Sequence, residues 1–179
     1  MLKDDIREVL ISEEQIRARC MELGAELTQK YSNMNPPILV ALLRGSVPFL
    51  SELIKHIDLP IEIEFMDVSS YEGTESIGDI HVHKDLSRSI KNESILLVED
   101  IVDTGRTVVE MTKYLVNKGA SDVKIVSLLD KPSRRVVNVS ADYVGFVVPN
   151  EFVVGFGLDY NQKYRNLPYV GVLKEELYK

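Results

Sequence analysis

The sequence predicts an α/β fold: a mostly parallel, twisted sheet with helices on both faces. Two observations carry this. The runs Ile38–Leu43 and Ile95–Val98 are apolar without alternation, the composition of strands buried on both sides. Stretches of strand character also alternate along the chain with stretches of helical period, the order that yields parallel strands joined by crossover helices. At 179 residues the chain suits one domain with a core of its own.

Residues 12–33 read as a helix, because Ile16, Cys20, Leu23 and Leu27 follow helical spacing and Ser12 with Gln15 can form a capping box. Asn35-Pro36-Pro37 breaks it. Ile38–Leu43 then forms a buried strand, Gly45-Ser46 turns the chain, and a second helix covers about Val47–Ile57. Ile61–Val68 alternates as a strand, followed by a polar stretch from Ser69 to Gly78 and a short strand near Ile80–His83. Residues 94–98 are the next strand, ending abruptly at Glu99-Asp100. A helix over about 106–118 shows Val108, Met111, Thr112 and Leu115 on one face. Val123–Leu129, Tyr143–Val148 and Tyr169–Leu173 complete the strands.

Composition excludes several classes. No apolar stretch is long enough to span a bilayer, and Met1-Leu2-Lys3-Asp4-Asp5 lacks a signal-peptide core, so no membrane partner and a cytoplasmic location are expected. Cys20 is the only cysteine and cannot form an internal disulfide. His81 and His83 alternate with Val82 and read as surface residues of a strand. A net charge of −7 argues against a nucleic-acid partner. No G-x-x-x-x-G-K-[ST] loop supports a kinase or nucleotide hydrolase.

In open parallel sheets, ligands bind beyond the carboxyl ends of the strands. Four polar clusters gather there: Arg44-Gly45, Ser70-Tyr71, Glu99 to Thr107, and Asp130-Lys131. The third is the most specific. Asp103-Thr104-Gly105-Arg106-Thr107 links a buried strand to a helix N-terminus, where free backbone N–H groups and the helix dipole attract anions. Three carboxylates in the same loop would repel a bare phosphate. A phosphosugar suits both halves: amides hold its phosphate, while carboxylates accept from its hydroxyls or face its Mg²⁺ ion.

This loop resembles that of the type I phosphoribosyltransferases, in which two acidic residues precede a D-T-G-x-T turn. Further matches run in order from Leu43 to Arg165: Leu43-Arg44-Gly45-Ser46, Ser70-Tyr71, Asp130-Lys131-Pro132, and Pro149 to Asn161 with Phe152-Val153 and Leu158-Asp159-Tyr160. They are similar to the bacterial branch that acts on hypoxanthine and guanine. The resemblance implies one domain over 1–179, with a core of about 36–150 and a small hood over the base from about 1–35 and 150–179, the N-terminal helix included. It implies transfer of 5-phosphoribosyl from phosphoribosyl pyrophosphate to hypoxanthine or guanine, giving IMP or GMP and pyrophosphate, with Mg²⁺.

The same resemblance implies the roles. Asp103 would be the general base at purine N7, and Thr104, Gly105, Arg106 and Thr107 would hold the 5-phosphate. Glu99 and Asp100 would bind ribose hydroxyls and metal waters. Asp159 would hold a second Mg²⁺ beside the purine. Arg44, Gly45 and Arg165 would face pyrophosphate, often with a cis peptide before the basic residue; many relatives place Lys where this chain has Arg44. Lys131 would read the 6-oxo group, Phe152 would stack on the base and the Val153 backbone would pair with its edge. Ser70-Tyr71 would belong to a lid that excludes water. A homodimer or homotetramer is the usual assembly. Lys131 and Phe152-Val153 argue against adenine; xanthine, which also carries a 6-oxo group, stays open. A regulator that keeps the fold would need a DNA-binding domain, for which the residues before Ile38 leave no room, or a basic face for RNA.

Overall fold

The computed structural model describes residues 1–70 and 80–179. The expected lid from Tyr71 to Gly78 lies outside the described residues, and Ser70 is described in its backbone alone. In chain order the elements are β1 (Ile6–Ile11), α1 (Glu13–Tyr31), β2 (Ile38–Leu43), α2 (Val47–Leu53), β3 (Glu62–Ser70), β4 (Ile80–Lys84) and β5 (Ser94–Val102). There follow α3 (Arg106–Asn117), β6 (Asp122–Asp130), β7 (Tyr143–Val147), β8 (Val153–Val154) and β9 (Val170–Leu173). The large sheet runs β4-β3-β2-β5-β6-β7, parallel throughout except for the antiparallel β3–β4 pair.

Alternation along the central strands divides the core in two. Leu39, Ala41, Leu96 and Val98 pack with Ile16, Cys20, Leu23 and Leu27 of α1 and Phe49, Leu50 and Leu53 of α2. Ile38, Val40, Leu42, Ile95 and Leu97 face Val108, Met111 and Leu115 of α3. Helices therefore cover both faces. The expected capping box starts α1: the Gln15 amide donates to Ser12 Oγ at 3.3 Å, and the Ser12 amide donates to Gln15 Oε1 at 2.8 Å.

Two expectations need correction. The strand before the acidic loop does not end at Val98. β5 continues through Glu99 and Asp100 to Val102, paired with β6 at Glu99↔Ser127, Ile101↔Leu129 and Val102↔Asp130. The change from apolar to acidic marks the point where the strand reaches the rim, while its backbone ladder carries on. The N-terminal helix is also not part of a separate hood. It packs on the large sheet, where Arg19 donates to the Val144 and Gly145 carbonyls of β7. The N-terminal partner of the C-terminal strands is β1, in a small antiparallel sheet ordered β1-β9-β8. β1 escaped the sequence reading because its register shifts twice against β9, which leaves no clean alternation.

Candidate active site

The carboxyl ends of β2 and β5 and the start of α3 enclose a cleft of about 340 Å³. Arg44, Gly45, Glu99, Asp100, Asp103, Thr104, Gly105, Thr107 and Arg165 line it. Gly105 caps α3 in the left-handed region, φ +85°, and offers no side chain to its first-turn amides. The Arg106 amide donates to Thr104 Oγ1 at 3.4 Å, and the Arg106 residue is exposed. This end of the cleft is the start of a helix, the kind of position that suits an anion.

The cleft also carries a pair of adjacent carboxyls, Glu99 and Asp100. Glu99 is buried, and burial with the neighbouring Asp100 charge pushes its carboxyl well above the ordinary range. Burial lifts the Asp100 carboxyl to about 6, opposed by the Ile101 amide that donates to it at 2.8 Å and by the Arg165 charge. Gly45 is required here by contact: a Cβ at this position would fall 1.6 Å from Asp100 Oδ2. The peptide between Leu43 and Arg44 is cis, and Arg44 is exposed.

A carboxyl whose folded pKa lies above its unfolded value favours the fold only while protonated. That contribution is complete below the unfolded value and is lost as pH rises through about 6. Asp100→Asn is therefore expected to raise the Tm of the ligand-free protein by several degrees near pH 8 and to leave it almost unchanged near pH 4. A thermal scan at both pH values checks this, and equal shifts at the two would exclude charge burial as the cause.

A second pocket of about 370 Å³ adjoins the first, and Ile101 and Asp103 line both. Lys131, Phe152 and Val153 also line it. Lys131 is buried, and burial lowers its pKa against the opposing pull of Asp103. Its Nζ donates to the Glu151 carbonyl at 2.8 Å, which leaves two of three donors uncommitted. Val153 belongs to β8, and the Phe152 carbonyl accepts from the Leu173 amide at 2.9 Å, so β9 steadies this wall. Arg134 Nε lies 3.1 Å from Asp103 Oδ1, an ion pair without hydrogen-bond alignment, so this buried oxygen has no donor.

Three residues here were not singled out in the sequence. Arg134 carried no motif. Tyr178 stacks on Phe152 with ring centroids 4.7 Å apart, a contact between segments with no pattern in common. Arg135 bonds the backbone of the acidic loop.

Asp159 stands apart from the acidic pair in chain but pairs with Arg165, whose Nη2 is 2.8 Å from Asp159 Oδ1. Arg165 Nη1 donates to the Gly157 carbonyl at 2.6 Å, and its buried Nε has no partner. All these carboxylates supply oxygen, the donor type for Mg²⁺; Glu99 is buried and Asp100 half-buried, and among the described residues no cation side chain is bonded to either. Among the described residues no three His, Cys, Asp or Glu form a cage by themselves. That donor set fits an ion that takes its remaining oxygens from water and substrate phosphates.

The family model described as phosphoribosyl transferase domain matches residues 11–161. A hypoxanthine-guanine phosphoribosyltransferase of Streptococcus pneumoniae is 53% identical over 179 residues, covering 99% of both chains. One from Streptococcus thermophilus is 54% identical with the same coverage. A crystal structure of a hypoxanthine phosphoribosyltransferase from Staphylococcus aureus superposes with a TM-score of 0.94 at 49% identity, covering 99% of this chain and 97% of the other.

Proposed function

The chain belongs to the phosphoribosyl transferase family, and we propose that its two adjoining pockets receive the two substrates of a purine-salvage reaction. The enzyme transfers the 5-phosphoribosyl group of phosphoribosyl pyrophosphate to hypoxanthine or guanine, giving IMP or GMP and pyrophosphate. The observation that carries the assignment of pockets is the shared wall: Asp103 and Ile101 border both the anion-binding cleft and the pocket of Lys131, Phe152 and Val153.

In this reading Thr104 to Thr107 hold the 5-phosphate, and Glu99 and Asp100 accept from the ribose hydroxyls and hold metal waters. Arg44, Gly45 and Arg165 face the pyrophosphate. Asp103 takes the proton from purine N7 as N9 bonds to the ribose carbon. Its buried Oδ1 accepts no hydrogen bond and is paired with Arg134 by charge alone, which supports that role, since such an acceptor is open to a donor. Mg²⁺, when bound near Glu99, Asp100 and Asp159, neutralises the charge of the leaving pyrophosphate. Phe152 packs on the purine face and Val153 meets its edge.

Steady-state assays with five purine bases, phosphoribosyl pyrophosphate and Mg²⁺ test the reading. IMP and GMP are the expected products. Turnover confined to adenine would overturn it. Light scattering tests the assembly proposed with it, a homodimer or homotetramer. Among the described residues no helix is long and apolar enough to cross a membrane; a cytoplasmic location goes with the salvage role and is testable by fractionation.

Specificity rests on Lys131, which carries donors alone. Hypoxanthine and guanine offer it an acceptor, whereas adenine turns an amino group toward it. A buried donor left unpaired costs about 1–3 kcal/mol, and more when charged. That corresponds to roughly five- to more than hundred-fold in kcat/KM against adenine. Lys131→Gln, with one donor and one acceptor, is expected to narrow the ratio of hypoxanthine to adenine, mainly by weakening hypoxanthine. An unchanged ratio would move base reading to the backbone near Val153.

A further inference from the structure

Arg135 lines neither pocket, yet it is bound to the loop between them. Its side chain is 14% exposed. Nη1 donates to the Val102 carbonyl at 2.9 Å and the Asp103 carbonyl at 2.6 Å, while Nη2 donates to the carboxylate of Asp130 at the end of β6. The same segment supplies two more bonds. The Lys131 amide donates to the Val102 carbonyl at 3.0 Å, and the Val136 amide to the Thr104 carbonyl at 3.1 Å. The carbonyls of Val102, Asp103 and Thr104 are thus all drawn toward residues 131–136. Because a trans peptide is planar, its N–H points opposite to its C=O. The amides of Asp103, Thr104 and Gly105 are thereby turned away from that segment, in a stretch of chain that lines the cleft.

We propose that Arg135, anchored on Asp130, is a positioning residue for phosphoribosyl transfer: by holding the Val102 and Asp103 carbonyls it orients the loop amides for the 5-phosphate and sets Asp103 at the wall between the pockets. The proposal rests on the transfer reaction above. A guanidinium fork reaches two carbonyls and a carboxylate at once, whereas an ammonium is a single point and cannot span them.

The test compares Arg135→Lys and Arg135→Ala with the wild type, reading kcat, both KM values and the folded fraction by thermal unfolding. Displacement of reacting groups by about an ångström costs up to about a hundredfold, so kcat should fall about 10- to 100-fold in both variants. KM for phosphoribosyl pyrophosphate should rise. KM for hypoxanthine should stay within about threefold, because Lys131 keeps its own bonds to Val102 and Glu151. Added guanidinium at millimolar level should restore part of kcat to Arg135→Ala. A kcat for Arg135→Lys within about threefold of wild type, or equal rises in both KM values, overturns the proposal. Where neither variant folds, Asp130→Asn decides: the same split at smaller size supports the role, and unchanged kinetics refute it. A wild type that makes no IMP would instead overturn the transfer reading itself.

Discussion

Asp103→Asn is expected to lower kcat by about 10²- to 10⁴-fold, the usual worth of a general base, with little change in the binding of phosphoribosyl pyrophosphate. The side chain lines both pockets, so it can reach a proton on the base while the sugar lies on its other side. Arg134 pairs with Oδ1 by charge alone at 3.1 Å, both side chains are partly exposed, and an exposed ion pair is worth little, so the fold should hold in the amide variant. The loss should therefore fall on chemistry. Single-turnover rates at neutral pH, alongside a direct binding titration of phosphoribosyl pyrophosphate, measure the two effects separately. A variant within a few-fold of wild type would remove Asp103 from the role.

Chelation should abolish turnover, and Mg²⁺ should restore it. Pyrophosphate is a poor leaving group while its charge is uncompensated, and among the described residues the cations lining the cleft are Arg44 and Arg165. Arg165 is already committed to Asp159 and the Gly157 carbonyl. The same cleft holds Glu99 and Asp100, whose desolvation makes a second negative charge costly unless a cation is present. Asp159→Ala should raise the Mg²⁺ concentration needed for half-maximal rate, since it removes a carboxylate beside Arg165. Initial rates over a Mg²⁺ series, with and without EDTA, give both results. Full activity in excess EDTA would end the phosphoribosyl-transfer reading.

The acidic loop was legible in the sequence because everything that makes it distinctive is contiguous. The apolar run of β5, the carboxylates, Gly105 and the helical period of α3 follow one another, and strand, turn and helix N-terminus are local consequences of those residues. The same holds for the order of strands and helices and for the face of α3 that carries Val108, Met111 and Leu115. Even the extent of β5 was misjudged, since hydrogen bonding to β6 and not polarity decides where a strand ends.

What the tertiary structure decided are relations between distant segments. Gly45 reads as a turn residue in the sequence; only the fold sets it against Asp100, where a Cβ would collide. The raised Asp100 pKa follows from desolvation, which depends on how completely other segments cover the carboxyl. β1 gains its place from β9, at the far end of the chain. Arg135 looks like one of two ordinary arginines after Pro132, and its hold on Val102, Asp103 and Asp130 exists only once β5 and β6 lie side by side. Local sequence determined the elements and the chemistry of the loop, because backbone preference and side-chain type are carried by neighbours along the chain. Contact, burial and the sharing of one wall by two pockets were decided by packing, because they are properties of residues that meet only when the chain is folded.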